Sequence, residues 1–542
     1  MLGGCQRPSA PDEVSSTPEP NTLELVFTYG SEKQDWVEAA TKVFNARRET
    51  TAAGHVIRVK PIAMGSGECI DTLLSGEIKA HITSPASAAF IKLGNAQSRV
   101  KTGHDLVGST ENLVLSPVVI AMWQPMAEAL GWGQRPIGWA EILKIAQDPR
   151  GWASLGHPEW GKFRFGHTSP EHSNSGLISL LAEVYAATGK TAGLTIEDVN
   201  APATASYLSG IESAIVHYGS STGFFGKKMF SAGPQYLSAA VLYENMVIES
   251  YATKYQLPFP IVAIYPKEGT FWSDHPVGVV DREWVTPEHA EAAKKYIAFL
   301  LEPEQQKRAL ELGFRPASLD VPLGAPIDAA HGVNPKEPQT TLEVPSAEVM
   351  DAILRLWQQN KKHSSVTLVF DVSGSMQDDN KIGFAREGAV ALLDAMRNED
   401  DFALLPFNAQ VMPSGPPAPL GAQRDPKRRQ IQGLFASGGT SLYDAILAAY
   451  KTASQTDTGR RISAIVVLSD GQDTSSTTTL PQLLAVIKAT PERETVRIFT
   501  IGYGKDADSS VLKQISDATQ AKSYDGKPEN IREVFRDIST FF

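Results

Sequence analysis

The sequence predicts an α/β protein with two separate units, each built on a mostly parallel sheet covered by helices, the second of them doubly wound. Three observations carry this. From about Leu23 to Leu323, short apolar runs alternate with stretches whose apolar residues recur at helical spacing. From Ser364 to Phe542, nearly continuous apolar strands are each followed by a helix, the pattern of a sheet buried on both faces. In both units small polar turns fall at strand C-terminal ends, the edge where open α/β sheets bind ligands.

The first unit opens with "LELVFTYGS" (23–31), a strand ending in a turn, and "EKQDWVEAATKVFNAR" (32–47). In the latter Trp36, Val37, Ala40, Val43 and Phe44 form one helical stripe. "HVIRVKPIAMGSGE", "CIDTLLSGEI" and "AHITSPASAAFI" repeat strand, turn and helix. Three turns thereby gather at one sheet edge: Gly30-Ser31, Gly65-Ser66-Gly67 and Thr83-Ser84-Pro85. "NLVLSPVVIAMW" (112–123) is a long apolar strand suited to crossing into a second lobe, expected over about 117–240. A strand-like stretch over 163–189 contains Ser173, Asn174, Ser175 and Gly176 at a helix N-terminus. "AAVLYENMVIESYA" returns the chain, and helices up to "LEPEQQKRALELGFRPA" close the unit.

This order, with its closing helices and proline-rich exit, resembles the type II periplasmic solute-binding proteins over about 300 residues. The resemblance implies two lobes closing over a small polar solute. Ser31, Ser66, Thr83, Ser84, Ser173, Asn174, Ser175 and Tyr243 are the residues it would place in the cleft. Serine, threonine and asparagine before helices also serve as caps and turn formers, and both readings stand. His157, His167 and His172 match no metal spacing and read as surface or core histidines.

Residues 324–363 are expected to be a proline-rich extended spacer followed by the helix "SAEVMDAILRLWQQNKK", with Val349, Ile353, Leu354 and Trp357 as its apolar stripe. The last segment, 364–542, begins with "VTLVFDVSGSM", strand then turn. Asp371, Ser373 and Ser375 lie in that turn, Thr440 in "SGGTSLYDA" and Asp470 in "VVLSDG", all at strand C-terminal ends. Carboxylates and hydroxyls without sulfur or imidazole suit a hard divalent cation: Mg²⁺ first, with Mn²⁺ or Ca²⁺ as alternatives. An aspartyl phosphatase would need a carboxylate where Ser373 stands. D-x-S-x-S, the loop threonine and the later aspartate together resemble the von Willebrand factor type A (VWA) domain and its metal-ion-dependent adhesion site. That resemblance implies an open coordination position that takes a carboxylate from a partner protein. Asp473 falls off the pattern and reads as a loop-ordering or rim residue.

With 542 residues, 42% of them hydrophobic, the chain is long enough for several domains. A net charge of −11 argues against a nucleic-acid partner, and "RDPKRRQ" (424–430) reads as a solvated helix face. Only Cys5 and Cys69 occur, so there is no disulfide framework. Cys69 reads as a packing residue. "LGGC" ending at Cys5, followed by a polar Pro/Ser/Thr/Glu tether to residue 22, resembles the lipobox of bacterial lipoproteins. Lipid on Cys5 requires a basic and apolar signal segment encoded upstream of Met1. It would be the sole membrane attachment, at the outer face of the cytoplasmic membrane or in the periplasm. No base, nucleophile or leaving-group acid is positioned by motif, so catalysis is not expected. The expected function is envelope-anchored, metal-dependent protein binding or adhesion. The alternative is a solute receptor of an ABC transporter docked through its C-terminal domain.

Overall fold

The computed structural model describes residues 21–412, 415–456, 460–488 and 496–542. The first lobe is a five-stranded sheet in the order Val56–Met64, Thr22–Gly30, Ile82–Ser84, Pro276–Val280 and Val107–Asn112. The first three strands run parallel, while Pro276–Val280 enters antiparallel between its two neighbours. Helix Gln34–Arg47 buries Trp36, Val37, Ala40 and Phe44 against this sheet, and the Trp36 indole donates to the Gln305 carbonyl at 3.0 Å.

The second lobe departs from the parallel expectation. Its long strand, Val114–Trp123, pairs antiparallel with Ala239–Tyr243, Ile261–Ile264, Trp272–Ser273 and Arg315–Pro316. Phe165–Gly166 pairs parallel with Ala239–Tyr243. This lobe therefore runs past 240 to Ser273, because the chain folds back on Val114–Trp123 before returning to the first lobe. The stretch expected to be strand-like over 163–189 is strand only at Phe165–Gly166 and becomes the helix Asn174–Thr188, almost wholly buried.

Residues 324–345 do not stand off as a spacer. Ala263 N–H donates to the Gly332 carbonyl, Leu342 N–H donates to the Thr270 carbonyl, and Ile327, Val333 and Leu342 are buried. Apolar residues among the prolines bind this segment to the second lobe. Helix Ala347–Asn360, capped by Ser346, continues along the same lobe. Its Trp357 is 1% exposed and meets Tyr218 edge-on at 5.3 Å.

The C-terminal domain is a six-stranded sheet in the order Ala418–Pro419, Asp401–Phe407, His363–Asp371, Arg461–Ser469, Arg497–Tyr503 and Ser523–Gly526. Among the described residues these strands pair parallel, apart from the edge strand Ala418–Pro419, which is antiparallel. The chain winds from His363–Asp371 to one side and then returns to the other at Arg461–Ser469. That places the topological switch between those two strands, with Asp371 and Asp470 at their C-terminal ends. The domain docks on the second lobe, where Tyr218 N–H donates to the Phe541 carbonyl at 3.1 Å, and on the end of the preceding helix, where Lys361 Nζ donates to the Phe542 carbonyl at 3.2 Å.

Candidate metal and solute sites

The strand His363–Asp371 is buried through its last six residues and ends at Asp371, which has no solvent exposure. The turn beyond it is held by Asp371 itself, whose Oδ1 accepts from Ser373 N–H at 2.8 Å. Its Oδ2 accepts from Ser469 Oγ at 2.6 Å. Gly374 N–H donates to the Gly438 carbonyl at 2.9 Å, tying this turn to the loop that carries Thr440. Ser373 Oγ lies 3.1 Å from Ser375 Oγ, and Ser375 Oγ donates to Asp470 Oδ1 at 2.8 Å. A Cβ built on Gly471 would lie 3.9 Å from Ser375 Oγ and 4.0 Å from Thr440 Oγ1. Asp371, Ser373, Ser375 and Asp470 are thus joined in one hydrogen-bonded cluster, and Thr440 stands on the adjoining loop, its hydroxyl on the same side of Gly471 as that of Ser375. Asp371, Ser373, Thr440 and Asp470 are buried, while Ser375 is exposed, so the cluster opens to solvent at Ser375.

Burial pushes the Asp371 carboxyl up to about 6, against the hydrogen bonds from Ser469 and Ser373, and Asp470 adds to the rise. A buried carboxylate pair of this kind calls for positive charge. Part of it comes from a residue that sequence reasoning missed: Lys381 Nζ donates to Asp470 Oδ2 at 2.7 Å, its side chain only 9% exposed. Two carboxylates, three hydroxyls and no softer donor fit Mg²⁺, Mn²⁺ or Ca²⁺. Asp473 orders the adjoining loop, accepting from Tyr443 N–H, Ser476 N–H and Ser476 Oγ.

The residues expected in the solute cleft are brought to the junction of the two lobes or just behind it, all buried. There they bond largely to protein. Ser31 Oγ of the first lobe lies 2.7 Å from Ser221 Oγ of the second and accepts from Gly223 N–H at 3.2 Å. Asn174 Oδ1 accepts from Ser87 Oγ at 2.7 Å, across the junction, and its Nδ2 donates to Tyr243 OH and Ser273 Oγ. Ser173 Oγ lies 3.0 Å from Thr222 Oγ1, and Ser175 Oγ 2.8 Å from Thr168 Oγ1. Ser66 Oγ accepts from Ala86 N–H, and Thr83 Oγ1 accepts from Thr28 Oγ1. Gly67 N–H donates to the His172 carbonyl at 2.8 Å, a backbone bond between lobes. A Cβ at Gly67 would sit 2.2 Å from the Glu171 carbonyl oxygen, so only glycine permits this approach.

Beside this latch lies a buried charge cluster that sequence reasoning did not single out. Lys33 Nζ donates to Glu32 Oε1 at 2.8 Å and lies 3.1 Å from His275 Nδ1. Burial opposes ionisation of Glu32, but Lys33 and His275 hold its carboxyl down to about 2. Burial and the Lys33 charge press His275 down to about 4. In "SEKQDW" these charges read as the polar start of a surface helix; nothing local marks them as buried. Cys69 is wholly buried, as a packing residue should be, and burial raises its thiol well above the ordinary range. His167 is a core histidine, paired with Glu212 at 2.9 Å. Cys5 lies outside the described residues. Among those residues, no helix is long and apolar enough to cross a membrane.

Residues 25–315 match the family model of the bacterial extracellular solute-binding proteins, and residues 365–536 match that of the von Willebrand factor type A domain. An uncharacterized protein of Mycobacterium tuberculosis (strain H37Rv) is 22% identical over 444 residues, covering 76% of this chain and 61% of that protein. The chain therefore spans about three fifths of that relative's length. Inter-alpha-trypsin inhibitor heavy chain H2 of Homo sapiens is 27% identical over 159 residues, covering 28% of this chain and 17% of that protein. Among solved structures, a periplasmic thiamin binding protein has a TM-score of 0.45 at 16% identity, covering 64% of this chain and 99% of its own. A von Willebrand factor type A protein from Catenulispora acidiphila has a TM-score of 0.30 at 22% identity, covering 33% of this chain and 42% of its own.

Proposed function

The chain belongs to the bacterial extracellular solute-binding protein family through residues 25–315, and from that footing we propose an envelope-attached binding protein that captures a protein partner through its C-terminal domain. Asp371, Ser373, Ser375, Thr440 and Asp470 would hold one divalent cation, with Mg²⁺ the default. The bound ion would supply an open, positively charged position for an acidic side chain of the partner. The observation that carries this reading is the hydrogen-bonded cluster of Asp371, Ser373, Ser375 and Asp470 at the C-terminal edge of the sheet, with Thr440 on the adjoining loop and Asp371 pushed up by burial. The proposed role is binding rather than catalysis. Lipid on Cys5 would keep the protein at the envelope. An intact mass of the native product tests that part, since an unmodified Met1 in the envelope form would exclude it.

Calorimetry of the full chain with Mg²⁺ and Mn²⁺ tests the metal site. One ion per chain is expected for wild type and none for Asp371→Ala, with the circular dichroism spectrum retained because buried strands make the core. Equal heats from the two proteins would mean the loop is only a turn.

A second reading, a solute receptor docked to an ABC permease, is favoured by two buried polar atoms near the latch. Among the described residues, Ser84 Oγ and His275 Nε2 find no hydrogen-bond partner. Such orphans are costly unless a solute or water meets them, and an opened cleft would offer them to a small polar molecule.

A further inference from the structure

A cavity of ≈ 380 Å³ lies between the second lobe and the C-terminal domain; none of the five oxygen-cluster residues lines it, while Ser221, whose hydroxyl meets Ser31 at the lobe junction, stands at its rim. It is lined by helix Thr222–Ala232 on one side and by Arg497, Phe499 and residues 520–523 on the other. Its size is that of a small-molecule pocket. Its walls combine aromatic rings (Phe224, Tyr236, Phe499 and Phe541) with an unusual concentration of cations.

The pairing of those cations is uneven. Lys513 lies 2.7 Å from Asp517, Lys522 lies 3.0 Å from Asp537, and Lys227 is within 3.8 Å of Glu249. Lys228 and Arg497 have no carboxylate within ion-pair distance among the described residues. Lys228 Nζ donates to the Ala521 carbonyl. Arg497, 6% exposed, donates from Nη1 to the carbonyls of Thr519 and Gln520 and stacks over the Tyr236 ring at 4.8 Å. Burial holds both cations below their ordinary range. Carbonyls and a ring face offset part of a buried guanidinium's desolvation, but a full counter-charge offsets it far better. Phe224, which also lines the cavity, is 47% exposed, a large apolar ring left in water.

We propose that this cavity binds a small organic anion, a carboxylate or phosphate carried on an apolar or aromatic body. The anionic group would pair with Arg497 and Lys228, and the body would pack on Phe224 and Tyr236. Because the cavity is walled by both domains, such a ligand would also bridge them.

Phenyl phosphate is a suitable probe, titrated calorimetrically into the full chain in EDTA so that no divalent ion takes part. Saturable binding at one site per chain is expected, at least tenfold tighter than inorganic phosphate or phenol, because each of those supplies only half of the recognition. Arg497→Gln should weaken it at least tenfold, about 1.4 kcal/mol. If that variant fails to fold, Phe224→Ala serves instead, since its exposed ring can be removed without opening the core, and a similar loss is expected. No saturable heat, equal affinity for phenyl phosphate and phenol, or wild-type affinity in the folded variant would each overturn the proposal.

Discussion

Lys381 Nζ stands 2.7 Å from Asp470 Oδ2, so an ammonium of the protein's own occupies one face of the oxygen cluster proposed to hold a metal. Both partners are nearly buried, at 9% and 0% side-chain exposure, and a divalent ion at Asp470 must share or displace this contact. Lys381→Met should therefore tighten Mg²⁺ binding by about tenfold, ~1.4 kcal/mol. The same substitution should lower metal-free stability by about 3 kcal/mol, because it leaves a buried carboxylate unpaired. Calorimetry and thermal melts in EDTA read the two effects. An unchanged metal affinity would show that Lys381 only braces the fold.

Thr440 is tied through its backbone to the following loop: its N–H donates to Thr474 Oγ1 at 2.9 Å and its carbonyl accepts from Thr474 N–H at 2.8 Å. Removing its hydroxyl should leave that loop in place. Thr440→Ala is expected to retain Mg²⁺ binding at reduced affinity while weakening capture of an acidic partner peptide by about tenfold. Loss of the loop's order, seen as faster hydrogen exchange near Thr474, would point to a structural role instead.

Asn174 holds the lobes through Ser87 while also bonding Tyr243 and Ser273. Asn174→Ala should cost about 1–3 kcal/mol, the penalty of leaving buried partners unsatisfied. Small-angle scattering should show a more open pair of lobes. A thermal-shift screen of sugars, amino acids, peptides and oxyanions should find a solute whose effect disappears in Ser66→Ala with Asn174→Ala. At a hundredfold excess over its dissociation constant, that solute adds about 2.7 kcal/mol. A flat screen would leave the two lobes as a latched scaffold.

Glu183, buried in the helix Asn174–Thr188, supplies a pH test. Burial and the Glu212 charge push its carboxyl up to about 8, although His167 and the hydrogen bond from Ser179 pull the other way. The folded state thus keeps a proton that the unfolded chain releases at its ordinary value of 4.5. Its contribution is fully present below that value and is lost as pH rises to about 8, with a slope of at most ~1.4 kcal/mol per pH unit. Glu183→Gln should flatten the stability profile across that window and melt higher than wild type at its alkaline end. Parallel profiles for the two proteins would refute the shift.

Much of the architecture was legible locally. Helical spacing at Trp36, Val37, Ala40 and Phe44, and the apolar run of His363–Asp371, follow from periods of a few residues, which a sequence displays directly. The alternation that predicted parallel pairing is confined to the first lobe and said nothing of strand direction in the second. An apolar strand such as Val114–Trp123 can pair in either direction, and the choice depended on where the chain returned. The linker misled for a similar reason: its prolines suggested extension, while scattered Ile327, Val333 and Leu342 found a surface only after folding.

By itself the sequence placed Asp371, Ser373 and Ser375 in one turn after an apolar strand and Asp470 at the end of another, with Thr440 in the loop before a helix, because short-period patterns mark where strands stop and helices begin. Tertiary structure alone decided what faces that cluster and what fills the cleft. Lys381 reaches Asp470 across 89 residues, Ser221 reaches Ser31 across 190, and His275 reaches Lys33 across 242. Charges and hydroxyls at such separations look solvated in sequence. Only the packed chain removes the water and forces them to satisfy one another.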